Sequence, residues 1–486
     1  MSAFKILFKQ TFIYGLATVL PRMLSFLLVP LYTDPSILPS PAEYGEVSII
    51  FSYFVLFNVI LAYGMETAFF RFYNKNENKQ SVINTSSISL LVSSVGFLIL
   101  GLLFQYQIAG LTGIDVKYIH LVVWILFLDA LVIIPFAWLR ATQKPVRYAI
   151  IKILNVSINL GFNIFFLIFL KDLAENNNIL NAIYSPNSEI TYIFIANLIA
   201  SLMTLLFMIP FYGKLKLKFD KRLWKEMMKY ATPVLIAGVA FSINETFDRI
   251  LLDKLLPADI AETEIGMYSA CYKLALFMTL FATAFKLGIE PYFFSHARTT
   301  SPQKNYAKIL EFFVVFGCVI LVTVVVFADI IKPIIVRSDA YWEAMWIVPI
   351  ILLANLCLGI YHNLSVWYKI TDKTKIGGYI SLLGAIITLG LNFWLIPIMS
   401  YKGSAIATLA AYSAMMLTSF FLGRKYYPIP YNVKKIVSYL IVSIAFSWVS
   451  FYTFENQFGV QLLLLGIFLT GVFVVEIKEI KQYIKS

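Results

Sequence analysis

Charged residues are scarce in this chain: they make up 14% of its 486 residues, whereas hydrophobic residues make up 60%. An ordinary soluble globular protein, in which about a quarter of the residues are charged, is therefore excluded. Cysteine is scarce too. Cys271, Cys318 and Cys357 all fall in apolar runs, so a disulfide framework is not expected. The three histidines lack metal-ligand spacing, and no glycine-rich phosphate loop occurs, so we expect neither a metal site nor ATP hydrolysis.

Long apolar runs are abundant instead, and each is long enough to cross a hydrocarbon core of about 30 Å. Lipid offers no partner for open backbone groups, so such runs must be helical. The first run is too long for a signal-peptide core and is expected to be retained. The sequence thus predicts an all-α integral membrane protein with about fourteen transmembrane helices, called spans 1 to 14 here: residues 10–33, 46–70, 82–106, 117–139, 148–170, 190–212, 230–252, 266–289, 309–330, 344–368, 376–398, 401–422, 434–453 and 458–477.

Basic residues are distributed unevenly between the loops. Segments before and at the start of odd-numbered spans, together with the C-terminal tail, hold 29 Lys or Arg, whereas the seven alternate loops and their edges hold six. The positive-inside rule then predicts that both termini are cytoplasmic. The net charge of +12 marks cytoplasmic loops rather than a nucleic-acid surface. The basic segment 214–229 could also contact anionic lipid, although topology explains it more simply.

The chain contains an internal repeat. Residues 138–163 match residues 367–392 at a fixed offset of 229 with nine identities, which include Trp138/Trp367 and Asn163/Asn392. Two shorter matches precede this one: residues 43–48 (EYGEVS) match 264–269 (EIGMYS), and residues 64–70 (GMETAFF) match 288–294 (GIEPYFF). Such duplication is typical of transporters, which place a substrate path between repeats.

The repeat also predicts the domain organisation. The matches relate spans 2, 4 and 5 to spans 8, 10 and 11, a shift of six that preserves orientation and makes the two lobes parallel. We predict an N-lobe of spans 1–6 (residues 1–213) and a C-lobe of spans 7–12 (residues 214–430). Spans 13 and 14 (residues 431–486) lie outside the repeat.

This arrangement, together with the segment 30–48 that contains PLYT and PAEYGEVS, resembles the polysaccharide-transporter branch of the MOP superfamily. That branch includes Wzx-type O-antigen flippases. The resemblance implies a V-shaped, alternating-access carrier in the bacterial inner membrane. Such a carrier moves undecaprenyl-pyrophosphate-linked oligosaccharide from the cytoplasmic to the periplasmic leaflet for O-antigen, capsule or exopolysaccharide export. Its partners would be the lipid-linked oligosaccharide and membrane lipids, with other glycan-assembly proteins as further candidates.

Charged residues within spans are costly and are candidates for function. Arg22, Arg249 and Lys273 are the predicted cationic substrate-binding residues, since guanidinium and ammonium groups bind phosphate oxygens. Glu245 and Asp248 are their predicted charge partners in the absence of substrate. The alternative is a purely structural ion-pair network. If the cations bind substrate, Arg249→Ala or Lys273→Ala should abolish glycan export without lowering protein abundance.

Three acidic residues suggest ion coupling. Asp129 lies near the middle of span 4 and could carry a proton, or it could be a satisfied interhelical hydrogen-bond partner. Glu66 and Glu290 occupy matching repeat positions, which favours a structural role shared by both lobes over an ion-coupling one. No cofactor is predicted beyond coupling to an H⁺ or Na⁺ gradient.

Other functions remain possible in the same architecture. A cation-coupled drug exporter of the MATE type is the main alternative, although its cavity should favour acidic residues. An enzyme of the same pathway would need a large extramembrane loop with converging acids or bases, and the loops here are short, so we do not expect catalysis. A scaffold without transport activity would leave the charges within the spans unexplained.

Overall fold

A computed structural model describes residues 3–296, 302–371 and 373–485 of the chain. By its packing the chain divides into two compact units, Met1–Gly266 and Met267–Ser486. The helices of the first unit, the last of which continues past Gly266, are Ala3–Phe26, Val29–Tyr32, Pro41–Ala62, Met65–Lys75, Lys79–Leu103, Gln105–Thr112, Val116–Leu131, Ile133–Ala141, Pro145–Ile164, the π-helical turn Phe165–Phe169, Leu170–Glu175, Asn178–Ile183, Glu189–Tyr212, Lys221–Leu255 and Ala258–Tyr272.

The second unit has the same all-helical character. Its elements are the 3₁₀ turn Lys273–Ala275, the helices Leu276–His296, Pro302–Val326 and Ala328–Ile335, the 3₁₀ segment Asp339–Ile347, and the helices Val348–Leu364, Val366–Ile370, Thr374–Met399, Tyr401–Tyr426, Val433–Trp448, the π-helical turn Val449–Thr453 and Phe458–Lys485. The division at Gly266 follows packing and does not test the duplication. The lobe boundaries inferred from the repeat therefore remain a prediction.

The predicted all-α membrane architecture is confirmed. Thirteen helices in the described part of the chain are long and apolar enough to cross a membrane. The remaining predicted span, span 7, lies in the continuous 35-residue helix Lys221–Leu255. Its C-terminal half carries Glu245, Asp248 and Arg249, so its composition is more polar than that of its neighbours.

Span 2 begins at a close helix crossing. The Pro41–Ala62 helix starts with a capping box, in which the Ser40 amide donates to the Glu43 carboxylate at 2.7 Å. Five residues into the helix, Gly45 lies against Gly266: a Cβ at Gly45 would overlap the Glu262 carbonyl oxygen, and a Cβ at Gly266 would overlap that of Pro41. Small residues allow such close approach of membrane helices. The repeat had paired these two glycines, and the structure places them in contact.

Span 2 is interrupted near its other end. Tyr63 and Gly64 both have positive φ, of 31° and 72°, which separates the Pro41–Ala62 and Met65–Lys75 helices. A Cβ at Gly64 would overlap the Ala231 carbonyl oxygen of the Lys221–Leu255 helix, so this glycine is required by both conformation and space. Its repeat partner Gly288 lies inside a continuous helix and has open space around it. A shared sequence motif therefore has two different local structures.

Buried asparagines connect helices at the matched repeat positions. The Tyr32 hydroxyl donates to Asn163 Oδ1 at 2.7 Å, and the Ser404 hydroxyl donates to Asn392 Oδ1 at 2.7 Å. Both asparagine side chains are fully buried, where an unsatisfied amide would be costly. The two asparagines that the repeat matched thus both hold neighbouring helices together.

Spans 13 and 14 pack on the Pro302–Val326 helix of the second unit. A buried ion pair joins them, because Lys435 Nζ lies 2.9 Å from Glu476 Oε1. The Tyr439 hydroxyl donates to the same carboxylate at 2.7 Å, and Glu311 of the Pro302–Val326 helix lies 4.0 Å from Lys435. This polar cluster fixes the two appended spans to the unit.

Gly45→Ala should destabilise the protein, because the new methyl group must displace backbone at the Gly266 crossing. Overpacking of this kind typically costs about 1–3 kcal/mol. The measurement is the thermal unfolding temperature of purified protein in detergent. Gly96→Ala is the matched control, since Gly96 lies in a membrane helix with nothing near its Cβ position. An unfolding temperature that is equal for both variants would show that the crossing is not tight.

Candidate functional site

The most buried charges of the predicted site form a pair. Arg249 Nη1 lies 2.9 Å from Asp248 Oδ1, and the Arg249 backbone N–H donates to the same oxygen at 2.9 Å. The residues are only 9% and 4% exposed. Neighbouring residues on a helix normally point in different directions. Here, however, the Asp248 carboxylate contacts both the backbone N–H and the guanidinium of Arg249. Asp248 is thus an ion-pair partner of Arg249, and the role of the pair in substrate binding stays a prediction.

The pair could bind substrate or serve as a structural ion pair, and the free energy of burying its two charges bears on both roles. Each buried ion loses several kcal/mol of hydration, which the partner's attraction and hydrogen bonds offset. Removing one member would take an ion-pair partner from the other member, which stays buried. The expectation that Arg249→Ala preserves protein abundance must therefore be revised, because that substitution removes a partner from a buried carboxylate. A phosphate group could also contact Arg249, since it offers oxygen acceptors that suit a guanidinium.

The other acids of span 7 have different environments. Glu245 is exposed, one turn before the buried Asp248. Asp253 lies 2.9 Å from Lys254 Nζ, and Lys254 Nζ also donates to the Thr112 carbonyl at 2.7 Å. Asp248 therefore pairs with Arg249, whereas Lys254 connects the end of the helix to the segment between spans 3 and 4.

The remaining predicted cations lie on other elements. Arg22 is exposed on the Ala3–Phe26 helix, about one turn before that helix ends. Lys273 is half-buried and begins the 3₁₀ turn Lys273–Ala275 in the second unit. Both residues have interacting partners. Convergence of Arg22, Arg249 and Lys273 on one substrate remains a prediction.

Asp129 lies in a second polar cluster within the first unit. The Ser201 hydroxyl donates to Asp129 Oδ1 at 2.7 Å, and Lys152 interacts with the same carboxylate electrostatically. The Lys152 ammonium also lies 4.3 Å from the centre of the Phe136 ring, a cation–π contact. Asp129 is therefore satisfied by interhelical contacts, which were one of the two roles expected for it. A carboxylate between a hydroxyl and an ammonium can also exchange a proton.

Lys152 is the residue that sequence reasoning missed, because it was counted among the basic residues flanking span 5. The structure places it seven residues into the Pro145–Ile164 helix. Asn155, three residues later, donates to the Ala200 carbonyl at 3.2 Å and to the Thr204 hydroxyl at 2.9 Å. Polar residues spaced three apart on an apolar helix indicate a face directed at another helix, and this spacing was the available signal.

Glu66 belongs to a more exposed contact. Its carboxylate lies 3.2 Å from Arg140 Nη2, and both side chains are about 40% exposed. Arg140 also stacks over Phe70 at 4.8 Å from the ring centre. This geometry fits the structural role favoured for Glu66. The side chain of its repeat partner Glu290 lies outside the described residues, so its partner is not known.

Arg249→Ala should lower the amount of folded protein, because the buried Asp248 carboxylate would lose an ion-pair partner 2.9 Å away; breaking such a pair costs about 3–5 kcal/mol. The double variant Asp248→Leu/Arg249→Met should restore abundance, since an apolar pair needs no charge compensation. Folded protein is measured by fluorescence-detected size-exclusion chromatography. Arg222→Ala on the same helix is the control, because the Arg222–Glu226 pair is exposed and worth little. Equal loss in the single and double variants would argue against this energetic account.

Comparisons with known proteins establish the fold. The chain is similar to the structure of "Lipid II flippase MurJ, inward closed conformation", with 17% identity, a TM-score of 0.72, and coverage of 96% of this chain and 99% of that one. It is also similar to an inward-facing multidrug resistance MATE family transporter of the MOP superfamily, with 12% identity, a TM-score of 0.66, and coverage of 87% of this chain and 99% of that one. A MOP superfamily transporter from Pyrococcus furiosus is similar with 12% identity, a TM-score of 0.62, and coverage of 90% of this chain and 99% of that one. At these identities the similarity shows the fold alone.

Sequence comparison supplies the family. No curated protein matches the chain, but a family model described as polysaccharide biosynthesis protein matches residues 7–297. This match covers more than half of the chain and includes span 2, the Asp129 cluster and the Asp248–Arg249 pair. The chain is therefore a multi-pass membrane protein that belongs to the polysaccharide biosynthesis protein family and has the MOP superfamily transporter fold.

Proposed function

We propose that this protein is a flippase that moves an undecaprenyl-pyrophosphate-linked oligosaccharide from the cytoplasmic to the periplasmic leaflet of the bacterial inner membrane. The observation that carries the proposal is that family and fold agree. A chain of the polysaccharide biosynthesis family has, over 96% of its length, the fold of a protein described as a lipid II flippase. The glycan would serve as O-antigen, capsule or exopolysaccharide, and the two termini would be cytoplasmic, as the basic loops favour.

The Asp248–Arg249 pair supports a role for charge in binding. In the proposed cycle, Asp248 stays paired with Arg249, and the substrate pyrophosphate accepts hydrogen bonds from the same guanidinium, which has five N–H donors. Neither buried charge is then left uncompensated in a site of low dielectric. Arg22 and Lys273 would contribute further positive charge.

Transport would proceed by alternating access. The lobes would rock against each other, and substrate would shift the population between inward-open and outward-open states by binding them with different affinities. The Asp129 cluster would couple this motion to an H⁺ or Na⁺ gradient. The polyprenyl tail would stay in lipid, while the pyrophosphate and sugars occupy the polar path.

A cation-coupled drug exporter is the second candidate, and the likeness to MATE transporters favours it. The buried cation of the Asp248–Arg249 pair argues against it, because drugs exported by such carriers are usually cationic. Drug-susceptibility profiling of a deletion strain separates the two. Sensitivity to several cationic drugs together with normal surface glycan would support the exporter.

Complementation of a strain lacking its own O-antigen or capsule flippase tests the proposal. We expect restored surface glycan and relief of the lipid-linked precursor that accumulates on the cytoplasmic face. The double variant Asp248→Leu/Arg249→Met should be as abundant as the wild type but should fail to export, because it lacks the Arg249 guanidinium that would bind pyrophosphate. Wild-type failure in the presence of the native glycan pathway would overturn the flippase proposal. Full export by the double variant would leave the flippase but remove the pair from binding.

Asp129→Asn should uncouple transport from the ion gradient while preserving the fold. The asparagine Oδ1 can still accept from the Ser201 hydroxyl, so the interhelical contact survives while the ionisable group is lost. Glycan export should become insensitive to dissipation of the proton or sodium gradient and should fall several-fold. Ser201→Ala serves as the control, because it removes the hydrogen bond and keeps the carboxylate. Wild-type gradient dependence in Asp129→Asn would exclude Asp129 from coupling.

A further inference from the structure

The first part of the basic segment 214–229 is not helical, and hydrogen bonds to a neighbouring helix hold it in place. The Lys216 backbone N–H donates to Asn84 Oδ1 at 3.1 Å, and the Asp220 backbone N–H donates to the Thr85 hydroxyl at 3.2 Å. Asn84 and Thr85 lie in the second turn of the Lys79–Leu103 helix and are buried. The segment is therefore fixed along the start of span 3, and its side chains occupy defined positions.

Lysines alternate with apolar residues along this fixed segment, which reads KLKLKF over residues 214–219. Leu215 packs on the apolar core of the unit, but Leu217 is 90% exposed and Phe219 is 46% exposed. Large apolar side chains between lysines are unfavourable in water. They are favourable at a membrane surface, where apolar groups enter the acyl boundary and lysines meet anionic headgroups.

Phe219 also forms part of a groove in the first unit. The groove has a volume of about 490 Å³, within the usual range for small-molecule sites. Its polar groups satisfy each other, since Ser89 Oγ lies 2.7 Å from the Tyr63 hydroxyl and accepts from Trp224 Nε1 at 2.9 Å. The surface left for an occupant is mainly apolar and is formed by Tyr63, Ile88, Val92, Phe219, Trp224 and Met228.

Two lysines lie beside this apolar surface. Lys221 and Lys225 are exposed and fall on the same helix face as the groove residues Trp224 and Met228, by their spacing of three, four and seven residues. The helix N-terminus is already occupied, because the Asp220 carboxylate accepts from the amides of the second and third helical residues. An anion at this end would therefore be bound by the ammonium groups.

We propose that this groove is a binding site for an anionic phospholipid, with one acyl chain in the groove and the phosphate against Lys221 and Lys225. Charge complementarity selects this occupant: residues 214–229 hold seven Lys or Arg, and each such residue near a surface adds about 1 kcal/mol of attraction to anionic lipid. The site is independent of the transported substrate and would exist whether the protein is a flippase or an exporter.

Photo-crosslinking of the full-length protein in vesicles tests the site. A benzophenone amino acid at Val92 reports on the groove, and the same group at Ile99, two turns along the same helix and exposed, reports on ordinary lipid contact. In vesicles of equal parts phosphatidylglycerol and phosphatidylcholine, we expect the Val92 probe to capture phosphatidylglycerol several-fold in excess, as measured by mass spectrometry. The Ile99 probe should capture the two lipids in their bulk ratio.

Lys221→Gln/Lys225→Gln should reduce the excess at Val92 to the bulk ratio. Lys214→Gln/Arg222→Gln, which removes two charges elsewhere in the same segment, should leave most of it. Bulk-ratio capture at Val92 in the unmodified background would overturn the proposal, as would an excess that is insensitive to Lys221 and Lys225. Displacement of phosphatidylglycerol by added undecaprenyl phosphate at low mole fraction would also overturn it, because the groove would then belong to a polyprenyl tail.

Discussion

The packing of the first unit depends on the backbone contact between Gly45 and Gly266. Neither position has space for a Cβ, so the Pro41–Ala62 and Ala258–Tyr272 helices approach each other closely, as small residues permit in membrane helices. At its other end, the same span meets the Lys221–Leu255 helix through Gly64 and the Ala231 carbonyl. Span 2 is thus clamped at both ends, and in membranes, where no hydrophobic force joins helices, such close packing supplies the cohesion.

The close contacts at Gly45 and Gly64 also explain how charged residues can be kept within apolar helices. The Lys221–Leu255 helix is held against span 2, so Asp248 and Arg249 remain buried and must compensate each other. The same rule applies to the Asp129, Ser201 and Lys152 contacts and to the Lys435–Glu476 pair of spans 13 and 14. Every one of these charges has a partner on the protein, because the surrounding lipid and protein cannot solvate it.

Several features were predictable because they follow from composition and spacing. Apolar runs of bilayer length required helices, and the matched segments identified Gly45 with Gly266 and Asn163 with Asn392, which the structure shows in packing roles. The resemblance to the MOP superfamily is confirmed by the family and the fold. Lys152 was missed because the sequence does not show where its helix begins. That start decides whether the lysine lies in a loop or within the span. Glu245 was predicted with Asp248 as a charge partner; the structure shows it as exposed, and that role stays a prediction.

The sequence alone determined the all-helical membrane architecture, because hydrophobic length and backbone hydrogen bonding in lipid leave few alternatives. It also determined the family, because a family model matches residues 7–297. Tertiary structure decided how Asp129 and Glu476 pair with side chains of other helices, where Gly64 breaks a helix that its repeat partner Gly288 continues, and how the basic segment 214–229 borders an apolar groove. Those features depend on which helix faces meet, and contacts between residues far apart in the sequence are not encoded in any local pattern.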